Sequence, residues 1–586
     1  MLLERFLEAR ASAAVQAALE LAEPTSALLR PTQDPRFGDF QLNAAMALGK
    51  QLGRPPRELA EKIAEKLRGE EFVASAEVAG PGFVNLTLDD AFLAKLVTDG
   101  LGDAEHLGVT PVDAPEKVII DYSGPNIAKQ MHVGHLRSTI LGDAIARALE
   151  FRGHQVIRDN HLGDWGTQYG LLIVGMREFG DAKALEADPI VELERVYKLA
   201  SERAKNDEDF AEAARRELKK LQDGDPENRA LWKRFVDVTR RTIDEIYAEL
   251  GVRFDLYLGE SAYHDALAGV VRTLEERGIA REDEGAKAVF WGEVEGEVPA
   301  KLRKQKEPFL VQKRDGAYLY STTDIATVLY RRDELGVDRA LYVVDHRQAL
   351  HFEQVFAVAR LLGVTMELVH VGFGTVLGAD GKPLKTRDAS GAALTLAVLL
   401  RQAKERAAER IREGMAEGRL KVEEHEIPSL AKAVGIGAVK YADLMNNRTT
   451  DYRFDLDRMV SFTGNAGPYL QYVHARSASI FRKAGIDEAS AVGPIRVTAP
   501  EEAKLVRRLV RFGDAVEKVA TLYLPHILCE HLYDLASEFN AFYQACKVLD
   551  AEDEATKQSR LALVAATARQ MRVGLGLLGI EAPERM

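Results

Sequence analysis

Short apolar runs alternate with helical patterns through the middle of the chain, and this alternation predicts a parallel sheet. A predicted strand at 118–122, which opens with the apolar run Val118-Ile-Ile120, precedes a helical pattern at about 133–151, and a second predicted strand follows at 155–160. This order requires a crossover that brings two parallel strands side by side. Further strands are predicted at 288–291, 319–321, 339–344 and 368–373, with helices at 323–332 and 351–362 between the last three. Ligands bind at the carboxyl ends of such strands, so the loops after 122 and 160 are the expected site.

The flanking regions have different patterns, which indicate further domains. Residues 1–110 mix helical stretches with short strands, and 102–115 has the composition of a linker. Long charged helical patterns interrupt the sheet, and the chain from 396 onward is almost wholly helical. We therefore predict an α/β fold with an N-terminal α+β domain at 1–110, a Rossmann-type parallel-sheet domain at 111–395 with an insertion at about 176–300, a helical junction at 396–455 and an all-α domain at 456–586.

Length and charge are compatible with several domains and do not exclude a nucleic-acid partner. A chain of 586 residues is too long for one core. The net charge of −13 argues mildly against nucleic acid, but a local basic face is sufficient for binding. Residues 24–57 carry five basic residues against two acidic ones, a local charge of +3. A solvated charged surface is the alternative explanation.

Composition favours a protein of a reducing compartment with no membrane span. The N-terminus has mixed charge and no uninterrupted apolar stretch, unlike a signal peptide. No run approaches the roughly 18 apolar residues of a membrane helix. The cysteines, Cys529 and Cys546, are too few for a disulfide framework or a four-thiolate zinc site. We therefore expect a cytoplasmic protein without structural zinc or any other metal site.

The most informative segment is the turn between the first apolar run and the helix that follows it. It reads Ser123-Gly-Pro-Asn-Ile-Ala-Lys-Gln-Met-His-Val-Gly-His135. His132 and His135 are three residues apart and share one helix face. Helix N-terminal amides attract phosphate, and Gly134 allows a ligand to approach the backbone. The turn is therefore a candidate nucleotide-triphosphate site, and capping or core histidines are the alternative.

A basic loop far downstream complements this turn. It reads Gly378-Ala-Asp-Gly-Lys-Pro-Leu-Lys-Thr-Arg387 and follows the predicted strand at 368–373. Phosphoryl chemistry needs positioning and charge neutralisation, which Lys382 and Lys385 could supply. In isolation, a solvated basic turn would explain the loop equally well. By contrast, the Gly-x-Gly-x-x-Gly match at 574–579 has no strand before it and is not interpreted as a dinucleotide site.

These motifs together resemble the arginyl-tRNA synthetases, a family of class I aminoacyl-tRNA synthetases. The histidine turn resembles their HIGH motif, and the basic loop resembles a degenerate KMSKS loop. Further similarity lies in Asn160-His-Leu-Gly-Asp-Trp-Gly-Thr-Gln-Tyr-Gly170, Phe37-Gly-Asp-Phe-Gln-Leu-Asn43 and Asn465-Ala-Gly-Pro-Tyr-Leu-Gln-Tyr-Val-His-Ala-Arg476. The resemblance implies a class I catalytic domain, an additional N-terminal tRNA-contacting domain and a helical DALR-type anticodon-binding domain.

The resemblance also implies an activity and its partners. A monomeric arginine–tRNA ligase would activate L-arginine with ATP, carried with Mg²⁺, and transfer it to the terminal ribose of tRNA(Arg). Activation in this family needs bound tRNA. The basic loop lacks the usual Lys-Met-Ser-Lys-Ser sequence. The resemblance implies that Lys129 supplies the missing positive charge toward pyrophosphate.

Site residues follow from the same resemblance, position by position. Catalytic roles are implied for His132, His135, Lys129 and Lys385. ATP contacts are implied for Gly134, His132, His135, Lys129, Lys382 and Lys385. Arginine contacts are implied for Asp121, Ser123, Asn126, His132, Tyr320, Asp324 and Gln348. Contacts with tRNA are implied for Arg36, Phe37, Asn43, Tyr469, Tyr472 and Arg476. From the residues alone, the acidic side chains indicate a cationic substrate without separating arginine from lysine, and the tyrosines also suit a packed helix face.

Two other functions remain open from the sequence. A class I synthetase for another amino acid, for example a cysteinyl-like enzyme, would use the same fold, although the scarcity of cysteines argues against its zinc site. A non-catalytic tRNA-binding paralogue would keep the helical domain, although the intact His132, His135, Lys129 and Asn126 argue against it.

Overall fold

A computed structural model describes residues 2–32, 34–378, 380–384, 395–418 and 420–586. The chain forms two compact units. The first comprises Met1–Val112, Ala407–Met445 and Arg458–Met586, and the second comprises Asp113–Arg406 and Asn446–Asp457. Within the described ranges, no helix is long and apolar enough to cross a membrane.

The N-terminal part of the first unit packs helices on an antiparallel sheet. Its helices are α1 (Leu3–Leu19), α2 (Ala44–Leu52), α3 (Pro56–Leu67) and α4 (Asp90–Gly100). Its strands are β1 (Leu29–Pro31), β2 (Phe40–Leu42), β3 (Val73–Ala79) and β4 (Phe83–Leu88), in the order β1-β2-β4-β3. Pro56 lies in the first turn of α3, where its missing N–H costs nothing. Asp89 caps α4 by accepting a hydrogen bond from the Phe92 amide at 2.8 Å.

A parallel sheet forms the centre of the second unit, as predicted. Strands β5 (Lys117–Asp121) and β6 (Gln155–Asp159) flank helix α5 (Val133–Phe151) in sequence. The sheet order is β11-β10-β5-β6, and every neighbouring pair is parallel. The switch point lies between β5 and β10, because their connections run in opposite directions along the sheet. A ligand site is expected at that point.

Helices fill the predicted insertion. They are α6 (Gln168–Phe179), α7 (Ala182–Ala187), α8 (Pro189–Asn206), α9 (Glu208–Gln222), α10 (Pro226–Leu250) and α11 (Leu267–Glu276). A small antiparallel sheet of β7 (Arg281–Asp283), β8 (Ala286–Val289) and β9 (Phe309–Gln312) follows, with α12 (Ala300–Arg303) between its last two strands. Helix α13 (Tyr320–Asp333), strand β10 (Arg339–Tyr342), helix α14 (Ala349–Leu361) and strand β11 (Glu367–His370) complete the parallel sheet.

The strand predicted at 319–321 is wrong, because helix α13 begins at Tyr320. Aromatic residues at 318 and 320 and the β-branched Thr322 and Thr323 that follow are typical of a strand. In the structure, however, the hydroxyls of Ser321 and Thr322 donate hydrogen bonds to the carbonyls of Leu310 and Val311 on β9. These tertiary bonds hold the first turn of the helix against the neighbouring strand. As a result Tyr320 lies in the first helical turn and Asp324 one turn further on.

The remaining elements are helical, apart from one short strand pair. Strand β12 (Val376–Leu377) pairs in parallel with β13 (Tyr452–Arg453) inside the second unit. The helices are α15 (Leu396–Ala416), α16 (Ile427–Leu444), α17 (Leu456–Met459), α18 (Gly467–Ala484), α19 (Pro500–Leu509), α20 (Phe512–Leu522), α21 (His526–Ala545) and α22 (Glu554–Leu577). The glycine match at 574–579 lies mostly in the last turn of α22, so it forms no strand-to-helix nucleotide turn.

The basic run at 507–511 lies inside the first unit and joins its two parts. Arg507 donates to Asp39 at 3.1 Å, to Asp90 and to the Leu88 carbonyl at 3.1 Å. Arg508 pairs with Asp534 at 3.0 Å, and the Arg511 guanidinium lies 5.2 Å from the ring centre of Phe40. Because Arg507 bonds to Asp39 and Asp90 and Arg511 lies against Phe40, this run links α19 and its neighbour α20 to the N-terminal part of the unit.

The close packing of α5 on β5 makes a testable prediction about Gly142. A Cβ at this position would lie 2.3 Å from Cγ of Tyr122. Both positions are in the core behind the site, and overpacking of this kind costs about 1–3 kcal/mol. We therefore expect Gly142→Ala to lower the free energy of unfolding by about that amount in chemical denaturation. The control is Gly269→Ala in α11, where a Cβ meets nothing within 4 Å. That change should leave stability unchanged or raise it.

Candidate functional site

A cavity of about 550 Å³ lies at the carboxyl ends of β5, β6 and β10. It is the site that the strand order predicts. Its walls include these residues expected from the sequence: Asp121, Ser123, Asn126, His132, Gly134, His135, Tyr320, Asp324 and Gln348. Segments separated by more than 200 positions in the chain therefore converge on one pocket.

The histidine turn presents two neutral imidazoles with defined tautomers. Nδ1 of His132 accepts the Gly134 amide and Nδ1 of His135 accepts the His132 amide, both at 3.1 Å. These reciprocal bonds cap the N-terminus of α5. An Nδ1 that accepts leaves the ring proton on Nε2, so each ring is a donor through its outer nitrogen. The ring centres lie 3.9 Å apart.

Burial keeps both imidazoles uncharged near neutral pH. Desolvation lowers the pKa of His132, and it lowers the pKa of His135 to about 3, with further contributions from His132 and Lys129. The Nε2–H donors are therefore present throughout the physiological range. They can donate to phosphoryl oxygens without releasing a proton.

The loop between β5 and α5 is held in an unusual backbone conformation. Ser123 and Ala128 have positive φ values of 72° and 62°. The Ser123 amide donates to the Ser138 hydroxyl at 2.9 Å, and the Ser123 hydroxyl contacts the Tyr247 hydroxyl at 2.7 Å. Positive φ at residues other than glycine persists only where surrounding contacts fix it, and it is concentrated at functional sites.

Acidic side chains form one wall of the cavity. Asp324 lies on α13, and its Oδ2 is 2.5 Å from Nε2 of His351. Asp121 ends β5 and accepts a hydrogen bond from the buried Arg331 at 2.7 Å. A planar cation with several donors fits between such carboxylates.

Glu260 is a third acid of this wall, and the sequence did not indicate it. It lines the same cavity. Burial, together with the nearby charges of Asp164 and Asp324, raises the pKa of Glu260 to about 8. A carboxyl group that is protonated in an acidic pocket is poised to ionise when a cation binds. A single Glu between two helices of a long insertion carries no local signal that could have identified it.

A second cavity of about 150 Å³ brings the basic loop to the histidine turn. It is lined by His132 and Gly134 on one side and by Pro383 and Leu384 on the other. Lys382 is exposed next to Pro383, and Lys129 is exposed just before the histidine turn; neither lines the two cavities. Lys385 lies outside the described residues.

Two arginines at this second cavity were also missed. Arg137 on α5 is buried, and it donates to the Gly374 carbonyl at 2.6 Å, which fixes the helix to the segment before the basic loop. Arg347 lines both cavities and pairs with Asp345 at 2.8 Å. Local patterns in a sequence cannot reveal such contacts, because each joins segments far apart in the chain.

The candidate tRNA residues lie in the first unit, in two groups. In the first group Phe37 is 47% exposed, Arg36 pairs with Asp34 at 2.6 Å, and Asn43 precedes α2.

The second group lies on α18 and its neighbour α21. The Arg476 guanidinium lies 4.8 Å from the ring centre of Tyr472 and donates to Asn540 at 2.7 Å. Asn540 in turn donates to the Tyr469 hydroxyl at 2.7 Å. Tyr543 on α21 is 36% exposed and completes this aromatic cluster, 5.8 Å from the Arg476 guanidinium. The tyrosines are half-buried, so they pack together and still present ring surface.

Comparisons with known proteins indicate one family along almost the whole chain. Family models match for the class I (R) tRNA synthetase catalytic domain at residues 101–456, the DALR anticodon binding domain at 470–586 and the arginyl tRNA synthetase N-terminal domain at 6–88. The chain is 45% identical to an arginine–tRNA ligase of Proteus mirabilis over 100% of both chains, and 47% identical to one of Pseudomonas syringae over 94% of both.

Solved structures give the same result. The arginyl-tRNA synthetase of Plasmodium falciparum superimposes with a TM-score of 0.81 at 27% identity, covering 99% of each chain. That of Thermus thermophilus gives 0.81 at 26% identity, covering 99% of this chain and 100% of the other. Together with the geometry of the pocket, these matches show that the chain belongs to the arginyl-tRNA synthetase family of class I aminoacyl-tRNA synthetases.

Proposed function

We infer that the chain is an arginine–tRNA ligase. In the first step a carboxylate oxygen of L-arginine attacks the α-phosphorus of ATP, the bond to the bridging oxygen breaks, and pyrophosphate leaves. In the second step a hydroxyl of the terminal ribose of tRNA(Arg) attacks the carbonyl carbon of the adenylate, and AMP leaves. The observation that carries this inference is the convergence of the neutral imidazole donors with Asp121, Asp324 and Glu260 in one cavity.

The nucleotide would lie along the N-terminus of α5. The Nε2–H groups of His132 and His135 would donate to phosphoryl oxygens as negative charge shifts to the leaving pyrophosphate. Gly134 lets the phosphates approach the backbone, since it carries no side chain. Lys129, Lys382 and Lys385 are proposed to balance the phosphate charge, together with the Mg²⁺ that accompanies ATP.

The guanidinium of arginine would lie against the acidic wall. Asp324 and Asp121 offer carboxylate oxygens, and Glu260 adds a third acid when it ionises. Tyr320 is 65% exposed and could cover the planar group. Ser123, Asn126, His132 and Gln348 are proposed to contact the α-amino and carboxylate groups.

The first unit would hold the tRNA. Aromatic rings stack on unpaired bases and guanidinium groups bind phosphate, so the cluster of Tyr469, Tyr472, Arg476 and Tyr543 is a suitable surface. Arg36, Phe37 and Asn43 are proposed as a second contact.

We further propose that the protein is a cytoplasmic monomer. Its two free, buried thiols support a reducing compartment.

The experiment that tests the function is ATP–pyrophosphate exchange with arginine or lysine, with and without tRNA(Arg). Exchange with arginine and not with lysine, dependent on the presence of tRNA(Arg) and followed by charging of the tRNA, is expected. Exchange that requires a different amino acid would support another class I specificity. Tight tRNA binding without exchange would support a non-catalytic paralogue.

The raised pKa of Glu260 predicts proton release on arginine binding. A bound guanidinium favours the ionised carboxylate, so the proton that Glu260 holds below pH 8 must leave. Arginine affinity should therefore rise as the pH increases from 7 toward 8. Calorimetric titration at pH 7 in buffers of different ionisation enthalpy should detect this proton in the wild type and not in Glu260→Gln. The exposed Glu276, changed to Gln, is the control; equal proton release in all three proteins would contradict the assignment.

A further inference from the structure

A buried arginine lies directly behind the acidic wall of the cavity. Arg331, on α13, is 0% exposed. Its Nη2 donates to Oδ2 of Asp121 and to Oδ2 of Asp159, both at 2.7 Å. The two aspartates end neighbouring parallel strands, β5 and β6. The guanidinium carbon also lies 4.9 Å from the ring centre of Tyr342.

The guanidinium supplies the cation that this acidic pair needs. Asp121, Asp159 and His161 have ligand atoms within 4.8 Å of one another, a spacing that could hold a metal ion. However, a single nitrogen of Arg331 is already bonded to both carboxylates. A divalent ion at the same place would face an adjacent fixed positive charge, so these residues do not support a metal site.

The two aspartates differ in their access to a ligand. Asp159 is 0% exposed and does not line the 550 Å³ cavity. The Asp121 side chain is 14% exposed and lines the 550 Å³ cavity. The bond from Arg331 uses Oδ2 of Asp121, which leaves Oδ1 for a cationic ligand. Arg331 therefore touches a residue of the pocket wall without lining the pocket itself.

We propose that Arg331 is a positioning residue for arginine recognition: it holds the Asp121 carboxylate beside the buried Asp159 and fixes the direction in which Asp121 meets the substrate. This proposal rests on the proposed function. Without Arg331, two carboxylates close together and shielded from water would repel each other. Asp121 would then lose the hydrogen bond that orients it.

A purely structural role would give a different result, and a double variant separates the two. Removing only Arg331 leaves Asp159 as an uncompensated buried charge, which is strongly destabilising. Arg331→Met combined with Asp159→Asn removes both charges and should recover the stability. It does not restore the hydrogen bond that positions Asp121. A structural role predicts recovery of arginine binding in the double variant, whereas a positioning role predicts that the defect remains.

The experiment measures KM for arginine, KM for ATP and kcat in exchange reactions with tRNA present. For Arg331→Met/Asp159→Asn we expect KM for arginine to rise about 10- to 100-fold, the scale of one lost hydrogen bond to a charged group, with KM for ATP unchanged. Arg331→Lys should give a smaller rise, because an ammonium group keeps the charge but not the planar geometry. Arg332→Met, which changes the neighbouring residue that pairs with Asp333, should behave as wild type.

Specific outcomes would overturn the proposal. A wild-type KM for arginine in the folded double variant would show that Arg331 only balances buried charge. Equal increases in KM for arginine and ATP would show a general disturbance of the pocket. If the wild-type protein did not activate arginine at all, the proposed function itself would fail, which is a result distinct from either of these.

Discussion

Replacing His132 by Asn should slow adenylate formation about 10²- to 10³-fold, the cost of losing one donor that acts in the transition state. In the structure Nδ1 of His132 accepts the Gly134 amide, and the residue lines the cavity. The Asn oxygen can replace the capping acceptor, but Asn has no group at the position of Nε2. The helix should therefore form normally while the phosphate loses its donor. Pre-steady-state measurement of adenylate formation would show the effect.

A matched variant makes this prediction specific. In His132→Gln the side-chain amide nitrogen lies near the position of Nε2, so this variant should retain more activity than His132→Asn. His135→Ala should lose activity on the same scale, about 10²- to 10³-fold, because its tautomer is fixed in the same way. The control is His425→Ala, at an exposed position that lines neither cavity. Equal rates in the Asn and Gln variants, or a loss confined to tRNA affinity, would contradict the donor role.

The parts of the site that depend on local patterns could be predicted from the sequence. The predicted helix at 133–151 and strand at 155–160 agree with α5 and β6 to within one residue. The strand–turn–helix order alone determines where a helix N-terminus meets a strand end. Two histidines and a glycine at that turn then specify donors and space for phosphate. This is why the sequence could predict the position of the histidine side of the pocket, where we propose that the nucleotide binds.

The acidic half of the pocket depends on contacts that the sequence does not show. Helix α13 begins at Tyr320 because hydroxyls bond to β9, and this shift determines which way Asp324 points. Glu260 and Arg331 reach the pocket from two further segments, and neither lies in a recognisable motif. The resemblance to a family supplied Asp121 and Asp324 as positions, but the pairing of Asp121 with Arg331 and the raised pKa of Glu260 required the fold. Charge balance in a pocket is a property of several distant segments together.

Replacing Asp324 by Asn should have the largest effect on recognition of the amino acid. Asp324 lines the cavity, where its Oδ2 lies 2.5 Å from Nε2 of His351. A cation bound in the cavity can therefore reach this carboxylate. Loss of one charge-assisted hydrogen bond to the guanidinium would raise KM for arginine about 10²-fold, while KM for ATP stays unchanged. Citrulline, a neutral analogue of arginine, separates charge from shape. The ratio of kcat/KM for arginine to that for citrulline should fall in the variant.

The control lies on the same helix. Asp333→Asn removes a carboxylate that pairs with the partly exposed Arg332 and does not line the cavity. This variant changes the net charge by the same amount as Asp324→Asn and leaves the helix intact. It should therefore retain the wild-type KM for arginine. If Asp324→Asn kept its preference for arginine over citrulline, the guanidinium would have to be read by Asp121 and Glu260 instead. In that case the Arg331 and Glu260 variants should show the larger losses, because one of the three acids must supply the charge that a buried guanidinium requires.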